Sequence, residues 1–279
     1  MIYDCHVHTG SVPQSKEELL KELDLAGVEK IVLLSHRPAS FCREELIDGR
    51  VPGCKPKIPA ECLSNVMEWA AFSNRIIPFY WIDPLEEDAF DQVDKAVAAD
   101  IAGFKVICNR HFPGDKKPMQ VWERIAKTGK PILFHSGILY GISPSSQYNR
   151  PVGFEPLFDI PNLRFALAHV SWPWCDENLA VFGYWQNRKR KGTTSTELFI
   201  DTTPGTPEIY RREVFHKIYH IGYDIENNVI FGTDNIDKYS SGYTKKILAM
   251  DKDALDNAGV SAEKREKYYS GNLLRFLGN

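Results

Sequence analysis

The chain has 279 residues, of which 43% are hydrophobic and 12% aromatic, so it can bury a large core, which argues against disorder. Its 34 basic and 37 acidic residues give a net charge of −3 without long runs of either sign, which is not the pattern of a protein that binds nucleic acid or an anionic membrane. No apolar segment approaches the roughly 18 residues of a membrane-spanning helix. The amino terminus has no basic region followed by an apolar stretch, so we expect a cytoplasmic protein if Met1 is the true start.

The six cysteines form no C-x-x-C pair, and without a secretion signal we expect reduced thiols rather than disulfides. A zinc site built from Cys42, Cys54 and Cys62 is the less favoured alternative, because their spacing matches no compact set of ligands.

Short apolar runs alternate along the chain with longer segments of helical period. The runs are continuous rather than alternating, as expected for parallel strands that are covered on both faces. They lie at 1–5, 30–34, 75–82, 102–107, 131–134, 163–168, 197–201 and 228–233. The predicted helices cover 15–28, 61–74, 86–100, 118–129, 177–190 and 207–222, and one or two more lie in 243–277.

Eight strand–helix units in a chain of this length predict a (β/α)₈ TIM barrel that forms a single domain over 1–279. The first predicted helix supports this reading, since Ser15 precedes it as a cap, a glutamate follows three residues later and Gly27 closes it. The alternative is a doubly wound open sheet, but the G-x-G-x-x-G loop typical of that fold is absent from the sequence. A loop insertion at about 36–60 has no clear period, and it is either a lid, a solvated insertion or an oligomer contact.

Polar residues follow most of the predicted strands, and in a barrel all strand ends meet at one face, where active sites are built. Two histidines spaced i, i+2 at the end of the first strand would share one face of it. A lone histidine at a strand end is more often structural, but several of them with a carboxylate suit a divalent ion such as zinc. The residues are His6, His8, His36, Arg37, Lys105, Arg110, His111, His135, His169 and Asp234.

These motifs resemble the amidohydrolase superfamily, and most closely its amidohydrolase-2 branch of metal-dependent hydrolases and aminocarboxymuconate-semialdehyde-type decarboxylases. The resemblance covers almost the whole chain in the right order. It is carried by DCHVH at 4–8, GFK at 103–105, FHSG at 134–137, LAHVS at 167–171, FGTDN at 231–235 and YSGNLLRFLG at 269–278.

The resemblance implies the role of each ligand. His6, His8 and His135 would hold one divalent metal ion, with zinc favoured. Asp234 would be a further ligand that also accepts a proton from the coordinated water, and His169 would orient water or polarise the substrate. A divalent cation lowers the pKa of a bound water towards about 7, and a nearby carboxylate can then take the proton.

Three basic residues are predicted to bind the substrate. The preferred role of Lys105 is an ammonium group that faces a substrate carboxylate. The alternatives are a carboxylated lysine that bridges two metal ions, as in some superfamily members, and a structural lysine. Arg37 and Arg110, together with Arg150, could bind a carboxylate with their planar guanidinium groups, although surface arginines are common. His111 could be merely solvated.

Two tryptophans after the sixth strand, Trp172 and Trp174, either line the pocket or act as packing anchors.

The leading function is therefore a metal-dependent hydrolase of a small molecule with an amide, ester or lactone bond. A metal-dependent decarboxylase of a small unsaturated or aromatic acid is the alternative, because the same ligands support both reactions. A non-catalytic barrel that binds a metal or a ligand is the second alternative. The partners expected are a small substrate, carrying a carboxylate in the favoured case, and no nucleic acid or membrane. A homodimer is compatible with the resemblance, but no interface residues are identified.

Overall fold

The computed structural model of the chain describes residues 1–10, 12–42, 57–141 and 144–279. Eight parallel strands form a nearly closed barrel in which each strand pairs with the next along the chain, so the predicted (β/α)₈ fold is confirmed. The strands are β1 (Tyr3–His8), β2 (Lys30–Leu34), β3 (Ile76–Trp81), β4 (Gly103–Val106), β5 (Ile132–Phe134), β6 (Arg164–Leu167), β7 (Glu197–Asp201) and β8 (Val229–Ile230).

Two strand boundaries differ from the prediction. β1 extends to His8, three residues beyond the predicted apolar run, so the strand includes both histidines that the spacing argument places on one of its faces. β8 is only two residues long, because the chain after it pairs with β1 through separate hydrogen bonds and an isolated bridge between Val7 and Asn235.

Helices surround the barrel. The capping box predicted at the start of α1 is present, since the Ser15 hydroxyl accepts a hydrogen bond from the Glu18 amide and the Glu18 carboxylate accepts one from the Ser15 amide. The helices are α1 (Lys16–Ala26), α2 (Pro59–Phe72), α3 (Ala89–Ala98), α4 (Lys116–Lys127), α5 (Cys175–Arg190), α6 (Glu208–His220), α7 (Ser241–Asn257), α8 (Ala262–Glu266) and α9 (Asn272–Leu277).

Two regions depart from the regular pattern of one α-helix after each strand. Between β5 and β6 the described residues form two 3₁₀ segments, Ser146–Asn149 and Pro151–Asp159, in place of an α-helix. Pro151 and Pro156 lack the amide donors that a continuous α-helix needs. The last stretch contains three helices rather than one or two, and a π turn, Lys267–Gly271, connects α8 to α9. Among the described residues, none of the helices combines the length and apolar character that a membrane crossing requires.

The core has two layers. The larger one lies between the sheet and the helices, and the smaller one fills the barrel interior. Leu273 and Phe276 of α9 belong to the inner layer, where the Phe276 ring contacts those of Phe79 and Phe199. Gly103 makes room for the Phe79 ring, because a Cβ at this position would lie within 2.6 Å of ring atoms. The interior is therefore packed, which leaves chemistry to the end of the barrel where the histidines lie.

The predicted loop insertion at about 36–60 is described only at its two ends. A 3₁₀ turn, Ala39–Cys42, follows β2, and α2 begins at Pro59. Residues 43–56 lie outside the described residues, so a lid at this position stays a prediction. Cys42 is disulfide-bonded, so the prediction of reduced thiols is wrong for this residue, because sequence spacing does not reveal which side chains meet in space. Cys5, Cys62, Cys108 and Cys175 are free and buried.

Candidate active site

A β-bulge in β1 sets the direction of His6 and His8. The register with β2 shifts by one residue between Asp4 and Val7, which places an extra residue in β1. Such a bulge re-aims the side chains that follow it. The buried Asp4 carboxylate accepts hydrogen bonds from the amides of His6 and Thr233 and from the Thr233 hydroxyl. Asp4 thus ties the bulge to the segment that follows β8.

The tautomer of His6 is set by Asp201, at the end of β7. The distance between His6 Nδ1 and Asp201 Oδ2 is 2.8 Å, and both side chains are almost completely buried. Burial by itself would raise the pKa of the Asp201 carboxyl. The hydrogen bond and the charge of His6 have the larger, opposite effect, so the pKa lies below its usual range. Because the ionised carboxylate can only accept, Nδ1 carries the hydrogen and Nε2 carries the lone pair. Burial, together with the charge of Lys105, lowers the pKa of His6 to about 4, so the ring is neutral near pH 7.

His8 and His6 converge on one oxygen of Asp234. His8 Nε2 lies 3.2 Å and His6 Nε2 lies 3.5 Å from Asp234 Oδ1. The three residues offer ligand atoms that all lie within 4.8 Å of one another. Two ligands at 2.0–2.1 Å from one tetrahedral zinc ion would be roughly 3.3 Å apart, so these spacings fit the edges of a zinc site.

Asp234 is held in place by its backbone. It adopts a left-handed conformation with a φ of 55°, and its amide donates to the carbonyl of His6 at 2.9 Å. Burial alone would raise the pKa of its carboxyl, but the neighbouring His6, His8 and His169 lower that pKa well below the usual range. Asp234 is therefore an ionised acceptor beside the Nε2 atoms of His6 and His8.

His135 follows β5 and lies in the same group of rings. Its ring centroid is 4.9 Å from that of His169, which is in turn 5.4 Å from that of His6. Burial, with the charges of His169 and Lys105, lowers the pKa of His135 well below its usual value. Its Nε2 is buried and has no hydrogen-bond partner in the described part of the chain, as expected for an imidazole that binds an ion or a ligand. It is not, however, one of the three residues whose ligand atoms lie within 4.8 Å of one another.

A strained turn after β6 carries His169. His169, Val170 and Ser171 have φ values of 61°, 45° and 57°, a region that β-branched residues rarely adopt. Hydrogen bonds hold the turn, since the Ser136 hydroxyl donates to the Ala168 carbonyl and lies 2.7 Å from Ser171 Oγ. Backbone strain of this kind is concentrated at functional sites.

His169 has its own orienting contacts on the loop after β7. Its Nδ1 lies 3.2 Å from the carbonyl oxygen of Pro204 and 3.0 Å from Thr203 Oγ1. Because a carbonyl only accepts, the hydrogen is on Nδ1 and Nε2 is an acceptor. Gly205 leaves room for the ring, since a Cβ there would lie 2.7 Å from His169 Cβ.

Lys105 points from β4 into the centre of the site. Its side chain is buried, and Nζ lies 3.3 Å from His6 Nε2. Burial lowers the pKa of Lys105 to about 8, although Asp234 and Asp201 oppose the shift. The ion pairs within 4 Å found in the described chain do not include this ammonium, so its charge is available to a bound anion.

The two predicted arginines have different surroundings. The partly buried Arg37 lies close enough to His8 and His36 for its charge to lower the pKa of both rings, with burial as the larger cause in each case. Arg110 instead pairs with the buried Asp83, with Nη2 to Oδ2 at 2.8 Å. The charge of Arg37 thus acts on His8, whereas Arg110 is already engaged by a carboxylate.

The remaining residues singled out from the sequence contact side chains that do not belong to the histidine cluster. Arg150 pairs with Glu177 and covers the ring of Trp174 at 5.1 Å from its centroid. Trp172 stacks on Tyr210 with a centroid distance of 4.9 Å. The ring of His111 is buried, 6.5 Å from that of Trp122, so it is not solvated.

Sequence reasoning missed three contributors to the site: Asp201, Thr203 and Trp81. Asp201 is the last residue of the seventh predicted strand, so the strand-end rule that selected His135 could have found it. The ring of Trp81, at the end of β3, lies 5.7 Å from that of His8 and 5.4 Å from that of Phe41. Its buried Nε1 has no hydrogen-bond partner among the described residues, so this aromatic wall also presents a donor.

Comparisons with known proteins identify the family and the fold. The model of the amidohydrolase family Amidohydro_2 matches residues 3–278. A search of curated proteins finds no match.

Solved structures similar in fold include a probable 2-pyrone-4,6-dicarboxylic acid hydrolase from Acinetobacter baumannii with citric acid bound, at 10% identity, a TM-score of 0.63 and coverage of 100% of this chain and 99% of that chain. A dihydroorotase from Campylobacter jejuni is similar at 14% identity and a TM-score of 0.59, with coverage of 100% and 83%. A protein named amidohydrolase 2 from Bifidobacterium longum subsp. infantis is similar at 13% identity and a TM-score of 0.56, with coverage of 99% and 98%. At these identities the likeness supports the fold alone.

Proposed function

This chain belongs to the amidohydrolase family, and we propose that it is a metal-dependent hydrolase of a small molecule with an amide, ester or lactone bond. The observation that carries the proposal is the convergence of His6 Nε2, His8 Nε2 and Asp234 Oδ1 at spacings that suit one tetrahedral ion. Burial keeps the histidines neutral near pH 7, which is the form that binds a metal. We assign one divalent ion per chain, with zinc favoured and His135 as a further ligand.

The chemistry follows from which side chains accept and which donate. A bound divalent cation supplies a water of lowered pKa and polarises a carbonyl. The Asp234 carboxylate accepts the proton that the reacting water loses, because it is ionised and lies beside His8. His169 orients that water through Nε2, since its Nδ1 hydrogen is directed to Pro204.

The basic side chains determine which substrates bind. Lys105 places a buried ammonium at the centre of the site, and Arg37 adds a guanidinium at its edge. We propose that both bind a carboxylate of the substrate, because charge-assisted hydrogen bonds in a buried site are strong. Trp81 would contact the apolar part of that substrate, with the fully buried Phe41 ring packed behind it. Arg110 contributes less directly, because it is paired with Asp83.

Decarboxylation of a small unsaturated or aromatic acid is the second candidate, since the buried charge of Lys105 could hold a departing carboxylate. Zinc-loaded protein should be offered a panel of carboxylate-bearing lactones, esters and amides, and separately a panel of unsaturated and aromatic acids. Ring opening or bond hydrolysis without carbon dioxide release supports the hydrolase. Carbon dioxide release alone would replace it with the decarboxylase, and turnover of neither panel would favour a barrel that binds without catalysis.

Asp234→Asn tests the mechanism, because the amide cannot accept the proton. We expect turnover to fall by about 10²–10⁴-fold, with the far-UV circular dichroism spectrum unchanged. The matched control is Asp253→Asn, on the exposed face of α7, which should retain the rate of the wild type. An unaltered rate in Asp234→Asn would remove Asp234 from the reaction.

Metal content of the purified protein tests the single-ion assignment. We expect one tightly held equivalent, measured by plasma emission spectroscopy after dialysis. The exposed pair His216 and His220 on α6, whose rings stack at 4.2 Å, could collect a second ion, so His216→Ala/His220→Ala is the control variant. Two equivalents in that variant would contradict the assignment and favour a bridging Lys105.

A further inference from the structure

One short segment at the end of β7 and after it orients two rings of the site, those of His6 and His169. Asp201 Oδ2 accepts the hydrogen of His6 Nδ1, while Thr203 Oγ1 and the Pro204 carbonyl contact Nδ1 of His169. Asp201 Oδ1 also accepts the amide of Thr203 at 2.7 Å, so the two contacts belong to one rigid piece of chain. We call residues 201–204 the orienting segment.

Thr202, in the middle of this segment, is anchored to other parts of the fold. Its amide donates to the carbonyl of Ile230, and its hydroxyl lies 2.6 Å from Tyr268 Oη. Its carbonyl accepts from Arg211 Nη2 at 2.9 Å. The same residue is therefore held through its amide, its hydroxyl and its carbonyl.

These contacts form a closed ring of hydrogen bonds. Tyr268 Oη donates to Asp251 Oδ2 at 2.6 Å, and Arg211 Nε donates to Asp251 Oδ1 at 2.5 Å. Because the Tyr268 hydrogen is directed to Asp251, the Thr202 hydroxyl donates to Tyr268. The ring thus runs from the Thr202 hydroxyl through Tyr268, Asp251 and Arg211 to the Thr202 carbonyl.

All four side chains of this ring are buried, Arg211 being 3% and Tyr268 1% exposed. Burial lowers the pKa of Arg211, but the charges of Asp251 and Asp201 raise it, and the net effect is a raised pKa. The guanidinium lies near the orienting segment, since it donates to the Thr202 carbonyl. A buried ion pair gives little net stability compared with apolar residues of the same size. A fully satisfied buried network does, however, specify one geometry.

We propose that Arg211, Asp251 and Tyr268 are positioning residues of the metal centre, which act through Thr202 to hold Asp201 against His6 and Thr203 against His169. This inference rests on the proposed function, because it assumes that the two rings serve the ion and its water. Residues behind the direct ligands commonly change metal affinity by one to two orders of magnitude. The network therefore links the packing of α6 and α7 to the tautomers of two site histidines.

The test compares two neighbouring tyrosines. Tyr268→Phe removes only the hydroxyl that closes the ring, while Tyr269→Phe removes a hydroxyl for which the described residues show no hydrogen bond. Two quantities are measured in both variants: the zinc dissociation constant by competition with a chelator, and the Nδ1–H fraction of His6 and His169 in the metal-free protein, from nitrogen-15 spectra of the imidazoles. We expect Tyr268→Phe to weaken zinc binding by about tenfold and to give mixed tautomers. Tyr269→Phe should change neither quantity.

A second pair of variants lies on α6. Arg211 pairs with Asp251 in the interior, and Arg212 pairs with Asp253 on the surface, so both ion pairs connect the same two helices. Arg211→Met should reproduce the effects of Tyr268→Phe, Arg211→Lys should restore part of the affinity, and Arg212→Met should resemble the wild type. Asp201→Ala, which removes the acceptor of His6 itself, gives the largest effect to be expected.

If the network is merely structural, Tyr268→Phe will lower the melting temperature but will leave the zinc dissociation constant and the Nδ1–H fractions of His6 and His169 unchanged. That result overturns the inference. It does so even if Arg211→Met fails to fold, because Tyr268→Phe decides the question on its own. If the wild type binds no zinc, the proposed function fails instead, and the tautomers of the metal-free protein still decide whether the network positions the rings.

Discussion

Burial lowers the pKa of individual imidazoles in this protein, and His111, which lies outside the site, is one of them. Burial lowers the pKa of His111 below its usual 6.5, the Phe112 carbonyl, Asp83 and Asp115 act in the opposite direction, and Arg110 acts in the same direction as burial. The folded protein therefore binds this proton more weakly than the unfolded chain does. It follows that His111 lowers the free energy of unfolding as the pH falls below about 6.5, whereas above this pH it does not change that free energy.

His111→Asn should make the free energy of unfolding less dependent on pH between 7 and 5. Asparagine keeps a donor for the Phe112 carbonyl but does not titrate. The slope can change by up to about 1.4 kcal/mol per pH unit, the limit for one proton. Urea denaturation at pH 7, 6 and 5 measures it, with the exposed His216→Asn as the control that should keep the slope of the wild type. Equal slopes in the two variants would contradict the effect of burial on His111.

Strand ends determine how much of the site could be predicted. His6, His8, His135, His169 and Asp234 each follow or end an apolar run, so the rule that parallel strands end at one face was sufficient to bring them together. The same rule places Asp201 at this face, but its pairing with His6, 195 residues away in the sequence, has no signal in residue spacing. The same holds for the Arg211 network. Arg211 and Asp251 are 40 residues apart in the interior, and their neighbours Arg212 and Asp253 are 41 residues apart on the surface, so spacing does not distinguish the two pairs.

The ends of β1, β7 and β8 are packed so closely that a single methyl group matters. A Cβ at Gly232 would lie 2.5 Å from Thr203 Cγ2, 2.9 Å from Cys5 Sγ and 3.2 Å from His6 Cβ. These neighbours belong to the orienting segment and to the bulged strand, so they cannot move without disturbing His6.

Gly232→Ala should therefore lower the free energy of unfolding by about 1–3 kcal/mol, the usual cost of overpacking, and should weaken zinc binding as well. Thermal unfolding and chelator competition measure the two effects. Gly242→Ala is the control, because a Cβ in this first turn of α7 would meet only Ser240 Oγ at 3.8 Å. Wild-type stability and affinity in Gly232→Ala would show that the strand ends are less tightly packed than the structure indicates.

For the whole molecule, the site and the closure of the barrel coincide. β1 to β8 pair in chain order, but β8 has only two residues, and the contact with β1 depends on separate hydrogen bonds. The Cys5 amide donates to Phe231, and the Asp234 amide donates to His6. The proposed ligands lie on both sides of this junction, His6 and His8 on one side and Asp234 on the other. One ion held by them would join the first strand to the last.

Hydrogen exchange should show this closure directly. Any opening that separates β1 from the chain after β8 also disrupts the proposed site, so bound zinc opposes that opening. At a zinc concentration 100 times the dissociation constant, exchange of the Cys5 amide should therefore be about 100-fold slower. The Ala99 amide at the end of α3, which donates to Lys95 on the outside of the barrel, is the control, because helix ends open locally and leave the site intact. Its rate should not change. If exchange at Cys5 is the same with and without zinc, the ion does not span the junction, and the ligands must lie on one side of it.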